Sequence, residues 1–512
     1  MNLELVVDTV ETENKIPSIS EFLDTLKAKM KSVFHDKNDI NELSVNRGLP
    51  AEALQEIMSA NPLSVGIPKE YGGRGGLMHE NIALLAAASY ESLPLSLTFG
   101  INSALFLQPV AKYAREEAKA SVFRRFIEEQ NMGGLMITEP DYGSDALNMQ
   151  TFYTERENRF HLKGKKHWAG LTGMADFWLL TARQKSESGN LQRDIDFFIC
   201  DVSAPDQKIK VEEYFENLGL YMIPYGRNHI DVKIPGVQKL EPHTTGVKMM
   251  LDLLHRSRMQ FPGMAMGFIK RMLDEAITHC KQRLVGGKSL FSYDQVQERL
   301  SKLQASYTIC SAMCANSSKK AGIEVDLVPH GMEANAVKSV VTDLMQEAAQ
   351  SLVQLVGAKA YKLTHIGGRG ITDSRPFQIF EGSNDILYAQ ISEALVKLMK
   401  RTKENNLFQF LKDFDLTSKA AGFIKEQTNF NINFQMPQRN LVDLGKIMGR
   451  VISMNQVIDL MGKGFRKDLA EGGINMLQQE IAGLLAAFSM KNDIQVIPEY
   501  EENSSWLNFA TA

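Results

Sequence analysis

Apolar and polar positions follow a helical rhythm in the first 130 residues, a strand-like rhythm to about residue 240, and a helical rhythm again afterwards. The opening segment has few β-branched runs and is interrupted by a turn-rich loop, Ile67-Pro68-Lys69-Glu70-Tyr71-Gly72-Gly73. The character changes near Met132. Leu135-Met136-Ile137 predicts a short strand stopped by Pro140 and a turn at Gly143, and Phe160, Leu162 and Trp168 alternate with polar residues as on a half-buried strand. Phe177-Trp178-Leu179-Leu180 and Phe197-Phe198-Ile199 flank a polar loop, which predicts strand, loop, strand, and the β-rich region closes near Pro235-Gly236 and Pro242. Beyond it, four apolar stripes recur at helical spacing: Ile269 to Leu284, Val296 to Cys314, Val337 to Leu355 and Ile386 to Met399. Four such helices in succession specify a bundle.

The expected fold is therefore mostly α with a central β domain. An N-terminal helical domain covers 1–130, a β-barrel-like middle domain 131–240, a C-terminal four-helix bundle 241–400, and a helical extension 401–512. In the extension, Lys446, Arg450, Lys463, Arg466 and Lys467 lie among apolar residues. That stretch reads as a helix packed on the main body, with a membrane-surface helix as the alternative.

Composition narrows the class. A chain of 512 residues, 44% hydrophobic and 23% charged, has a large core, and 57 Lys+Arg against 61 Asp+Glu gives no basic excess for nucleic acid. Cys200, Cys280, Cys310 and Cys314 read as free thiols of a reducing compartment. Cys310 and Cys314 share a helix face without the partners that zinc requires. The acidic start, Met1 to Asp8, lacks the features of a signal or transit peptide, and the apolar run Ile82–Val110 is broken by Glu91, Pro94 and Pro109, as in a buried helix. A cytoplasmic protein is expected.

One segment carries candidate chemistry. Phe377-Gln378-Ile379-Phe380-Glu381-Gly382-Ser383-Asn384-Asp385 places a carboxylate between apolar residues and a helix start, with Gly382 allowing a tight turn and Ser383 suited to cap the helix. Burial raises the pKa of such a Glu and the helix dipole lowers it, which suits a base that is ionised at rest. An ordinary loop before a helix has the same pattern.

Two blocks resemble the acyl-CoA dehydrogenase family. Met136-Ile137-Thr138-Glu139-Pro140-Asp141-Tyr142-Gly143-Ser144-Asp145 is similar to its flavin-contacting TEP-x-x-GSD segment, and Gln378 to Asp385 is similar to its catalytic Q-I-aromatic-E-G-T/S block. The Ile67 loop, Gly164-Lys165-Lys166-His167-Trp168, and Arg283 followed by Gly287-Lys288 support the match, which spans about residues 20 to 400. The resemblance implies an FAD enzyme making trans-2-enoyl-CoA from an acyl-CoA, with Glu381 taking the α-proton and flavin N5 the β-hydride. Some family members carry the base just before the position of Arg258; here that position is Ser257, which leaves Glu381.

By the same resemblance, Leu135, Ile137 and Thr138 line the ring edge, Ser144 reaches a flavin phosphate or the CoA, and Trp168 and Gly170 lie against the flavin. Ser383 and Asp385 also belong to the cofactor site. Arg283 and Gln354 reach the FAD of a neighbouring subunit, implying a homodimer or homotetramer. His255, Arg258 and Gly382 lie with the acyl-CoA substrate, and an electron-transfer flavoprotein is the implied acceptor. The extension resembles that of long-chain-active, membrane-associated members, so peripheral membrane contact is an added expectation.

The chain also departs from the pattern. The Gly-Gly-x-Gly loop reads Gly357-Ala358-Lys359-Ala360-Tyr361, Asp294 replaces a Gln, Trp-Ile-Thr becomes Trp168-Ala169-Gly170, and Tyr388 replaces an arginine. Two other functions fit these departures: an acyl-CoA oxidase using oxygen, or a redox-silent binding or assembly protein on the same fold.

Overall fold

The structure, a computed structural model, describes residues 16–490 and 496–498. The acidic start at Met1 to Asp8 lies outside them.

The first helical layer contains α1 (Ile19–Lys31), α2 (Ile40–Leu43), α3 (Ala51–Met58), α4 (Met78–Glu91), α5 (Leu93–Asn102), α6 (Gln108–Tyr113) and α7 (Glu116–Glu128). α1 starts at a capping box, in which Ser18 and Glu21 satisfy each other's backbone N–H groups. The apolar run is buried, as its composition predicts, yet its prolines do not break it. The break falls at Ser92, whose hydroxyl caps α5, and Pro94 occupies the first turn, where its missing N–H costs nothing. From Leu93 to Tyr113 the chain stays helical through a π turn at Ser103–Leu107, placing Pro109 just past the widened ladder. This segment is long and apolar enough to cross a membrane, but its most apolar window is 94% buried inside the protein.

The middle of the chain forms a seven-stranded sheet: β1 (Gly133–Met136), β2 (Phe152–Arg156), β3 (Arg159–Gly170), β4 (Phe177–Gln184), β5 (Asp196–Asp201), β6 (Lys210–Tyr214) and β7 (Tyr225–Pro235). β4 is the hub, pairing parallel with β1 in the register Leu135↔Leu179, antiparallel with β5, and briefly with β2. β2, β3, β7 and β6 continue the sheet antiparallel. On β3 the even positions Phe160, Leu162 and Lys166 face inward, but the register shifts between His167 and Ala169. Trp168, at the bulge with φ 56°, turns outward and is 52% exposed. The alternation alone would have left it half-buried.

The bundle follows as α8 (Gly246–Arg258), α9 (Phe261–Gln282), α10 (Asp294–Lys320), α11 (Gly331–Val356), α12 (Ile366–Ser374) and α13 (Asn384–Thr402). The four long stripes become α9, α10, α11 and α13, and all four cysteines are free and buried. The extension adds α14 (Leu407–Asp413), α15 (Ser418–Ala421), α16 (Lys425–Thr428), α17 (Gln438–Gly462) and α18 (Lys467–Ser489). α17 lies along α13 and α18, burying Leu444, Ile447, Met448, Val451, Ile452 and Val457. This packing buries most of that stretch's apolar side chains against the protein. Gly445 sets the approach, because a Cβ there would stand 2.0 Å from the Tyr388 carbonyl oxygen. Gly445→Ala is expected to cost about 1–3 kcal/mol through overpacking. An unchanged urea midpoint would show that α17 can move away freely.

Candidate active site

Glu381 stands on a turn between the 3₁₀ segment Arg375–Gln378 and α13. It is half-buried and adopts φ 54°, followed by Gly382 at φ 94°. A non-glycine residue in this region is uncommon and strained, so the surroundings must hold it. The Arg258 Nε and Nη2 groups donate to the Glu381 carbonyl at 3.1 and 2.7 Å, and Lys338 Nζ donates to the Gly382 carbonyl at 2.9 Å. The Ser257 hydroxyl donates to Glu381 Oε1 at 2.9 Å, while Oε2 is buried with no partner. Phe380 packs 4.9 Å from Phe377 and 6.0 Å from Phe261, forming the apolar wall that the sequence suggested.

Burial raises the Glu381 pKa above its ordinary value, with Arg258, Ser257 and Lys338 opposing the rise. Burial also pushes Lys338 down to about 7 and Arg258 down to about 10. Ser383 occupies the N-cap as expected, but its hydroxyl makes no capping bond. Asn384 anchors the helix start instead, accepting from Lys338 and donating to Asp343 Oδ1 at 2.8 Å. Asp385 is exposed in the first turn.

The β side presents a second set of groups. Leu135, Ile137 and Thr138 are half-buried at and just beyond the end of β1. Their backbone is pinned from behind: Lys166 Nζ donates to the Ile137 carbonyl at 3.1 Å and to Glu139 Oε1 at 3.0 Å, and the His167 N–H donates to the Thr138 carbonyl at 2.8 Å. Lys166 and Glu139 are an almost fully buried ion pair. Burial works against the Glu139 charge, but Lys166 and the bonds from Thr151 and Gln150 outweigh it and hold the carboxyl below its usual range. The exposed Trp168 indole packs 4.6 Å from Phe215, and the neighbouring His167 Nδ1 is buried without a partner. Gly170 ends β3 against Ile101 and Tyr225.

The two sets are tied together through the β6–β7 connection. Leu220 N–H donates to Asp373 Oδ1 at 2.6 Å, joining that connection to α12, whose end leads into the Glu381 turn. Other expected residues lie elsewhere. Ser144 is exposed in the loop after β1, and Arg283 and Gln354 are exposed near the ends of α9 and α11. Asp294 is exposed in the first turn of α10, where the helix dipole favours an acid. Gly357, at φ 76°, opens a 3₁₀ turn through Tyr361.

His255 and Arg258 are buried and already committed. His255 Nδ1 bonds the Leu327 carbonyl, with its pKa lowered by burial to about 4, and Arg258 also donates to Asn335. Arg258 therefore braces Glu381 from behind. Two contributors escaped the sequence reading. Ser257 donates its hydroxyl to the Glu381 carboxylate, and Lys338 interrupts an apolar stripe, a signal that a buried lysine has a fixed task.

Three domain profiles of one family match the chain in order. They are described as acyl-CoA dehydrogenase N-terminal domain (residues 20–130), middle domain (134–232) and C-terminal domain (244–396). The chain belongs to the acyl-CoA dehydrogenase family. This family member is 22% identical over 352 residues to the acyl-CoA dehydrogenase of Bacillus subtilis, covering 68% of this chain and 90% of that protein. It is also 22% identical over 403 residues to the mouse mitochondrial very long-chain specific acyl-CoA dehydrogenase, covering 75% of this chain and 59% of the mouse protein. The crystal structure of acyl-CoA dehydrogenase complexed with FAD from Bacillus anthracis superposes with a TM-score of 0.72 at 16% identity. It covers 97% of this chain and 95% of its own, so its fold matches this family member far beyond the three profiles.

Proposed function

We propose that this acyl-CoA dehydrogenase family member binds FAD and converts an acyl-CoA thioester to trans-2-enoyl-CoA, with Glu381 as the base that removes the α-proton. The observation that carries this reading is a half-buried carboxylate with one oxygen bonded to Ser257 and the other buried without a partner. The residues fit the cofactor: Glu381 Oε2 and His167 Nδ1 are unpartnered buried polar atoms, and Trp168 offers an exposed aromatic face beside His167. Leu135, Ile137 and Thr138 would hold the ring edge, Trp168 and Gly170 its face, and Ser383 and Asp385 its approach to α13. Ser144 is available to a phosphate. FAD, when bound, supplies the oxidised ring that accepts a hydride from the β-carbon.

The protein's own part is proton transfer and positioning. Glu381 breaks the α-C–H bond by taking the proton onto its carboxylate, and its own N–H makes no backbone hydrogen bond among the described residues. That N–H is free to hold the thioester oxygen as negative charge develops there. Arg258 and Lys338 keep the turn rigid, and the Phe261, Phe377 and Phe380 rings exclude water. Because burial raises the Glu381 pKa above 4.5, flavin reduction should fall as pH drops through an apparent pKa higher than that value. An acid limb at or below 4.5 would contradict a desolvated base.

Arg283 and Gln354 are exposed, and in a dimer they would reach the adenosine pyrophosphate held by the second copy. Arg283→Ala should lower FAD content while leaving flavin reduction normal in the molecules still loaded. Unchanged flavin content would remove that contact. Electrons then pass to an electron-transfer flavoprotein, so turnover should need that acceptor and show no oxygen uptake.

A further inference from the structure

Arg450, on α17 of the extension, is 8% exposed and reaches three other helices. Its Nη2 lies 3.3 Å from Asp343 Oδ2 on α11, Nη1 donates to the Tyr388 hydroxyl on α13 at 2.5 Å, and Nε donates to Glu480 Oε2 on α18 at 3.1 Å. Tyr388 also donates to Asp343 Oδ2, at 2.7 Å. The other oxygen of Asp343 faces the active site. Oδ1 accepts from Asn384 Nδ2 at 2.8 Å and from Gln378 Nε2 at 2.9 Å. Those two residues stand on either side of Glu381, so one carboxylate clamps both ends of its turn.

We propose that Arg450 is a positioning residue: through Asp343 it holds the Gln378–Asn384 turn in the left-handed conformation that presents Glu381, making the C-terminal extension part of the active-site support. The proposal rests on Glu381 being the base, but the clamp itself is independent of that role. The charges around Arg450 explain why one guanidinium matters. Asp343 and Glu347 face it from α11 and Glu480 from α18, while Lys302 of α10 is the other cation acting on Glu347. Burial and the Glu480 charge already push Glu347 up to about 7 despite Arg450. Without Arg450, Asp343 keeps acidic neighbours and loses its guanidinium partner, so it turns toward water and frees Asn384 and Gln378. A planar fork suits this site because three acceptors in different directions are met at once.

The test compares FAD-loaded wild type with Arg450→Met, Arg450→Lys and the double variant Arg450→Met/Tyr388→Arg. Hydrogen exchange of peptides spanning 376–386 reads the turn directly, and stopped-flow flavin reduction by acyl-CoA reads its consequence. Arg450→Met should speed exchange in 376–386 and slow flavin reduction roughly 10–100-fold at little-changed KM, as expected for a misplaced base. Arg450→Lys keeps the charge but not the fork, and should give a smaller change in both readouts. In the double variant, Tyr388→Arg returns a guanidinium to the neighbourhood of Asp343 and should restore both readouts.

Unchanged exchange at 376–386 with faster exchange confined to α17 and α18 would overturn the proposal, leaving Arg450 as a tie for the extension. If Arg450→Met does not fold, the same exchange comparison on Arg450→Lys decides. If no acyl-CoA reduces the wild-type flavin, the function proposed above fails, and the exchange result still decides the positioning role.

Discussion

Glu381→Gln is expected to retain FAD and lose flavin reduction by about 10²–10⁴-fold or more, the range lost with a general base. The amide has the same shape and still accepts from the Ser257 hydroxyl, so the turn and its Phe380 wall should persist. What disappears is a site that takes a proton at Oε2. The left-handed backbone is fixed from outside the side chain, by Arg258 on the Glu381 carbonyl and Lys338 on the Gly382 carbonyl. Cofactor content and the visible spectrum should therefore match wild type while the reduction trace stays flat. Near-normal reduction in this variant would place the base elsewhere.

Lys166→Met is expected to be the most destabilising single change in the β domain, by about 3–5 kcal/mol, because removing one partner of a buried pair strands the other charge. The lysine side chain is fully buried and Glu139 is 4% exposed, so water cannot replace the lost ammonium. The damage should spread. Lys166 Nζ also holds the Ile137 carbonyl and the Thr181 hydroxyl, and Thr181 in turn donates to the Met136 carbonyl. The strand end proposed to meet the flavin edge would lose its backing, and FAD content should fall with stability. Urea unfolding measures the first effect and flavin absorbance the second. In wild type, the Glu139 pKa is held below its ordinary 4.5, so its share of the stability is present above that value and lost as pH falls through the lowered one. A midpoint close to wild type for Lys166→Met would mean the pair contributes no more than a buried methionine does.

The order of helical, β and helical regions was legible because the apolar spacing switches period near Met132 and again after β7. The Glu381 turn was legible too, since a Gly and a helix start follow an apolar run. Trp168 was not, because a bulge resets the face of every later residue and no local residue pattern announces it. Pro109 does not break the helix either: it falls in the first turn of α6, just past a π turn that no local residue pattern announces. Lys338 and Arg450 show the larger gap. Each reads locally as a charged residue on a helix, and only tertiary contact reveals Gly382 beside one and Asp343 beside the other. Arg450 sits among Lys446, Lys463, Arg466 and Lys467 in the sequence, yet it is the buried member of that group.

Anaerobic mixing of the FAD-loaded protein with a panel of acyl-CoA esters, watched through the flavin absorbance, tests most directly whether Glu381 deprotonates a thioester beside an oxidised flavin. The expected result is rapid bleaching by at least one chain length in wild type and none in Glu381→Gln. A yellow wild-type protein that no ester bleaches, or equal bleaching in both proteins, would contradict it.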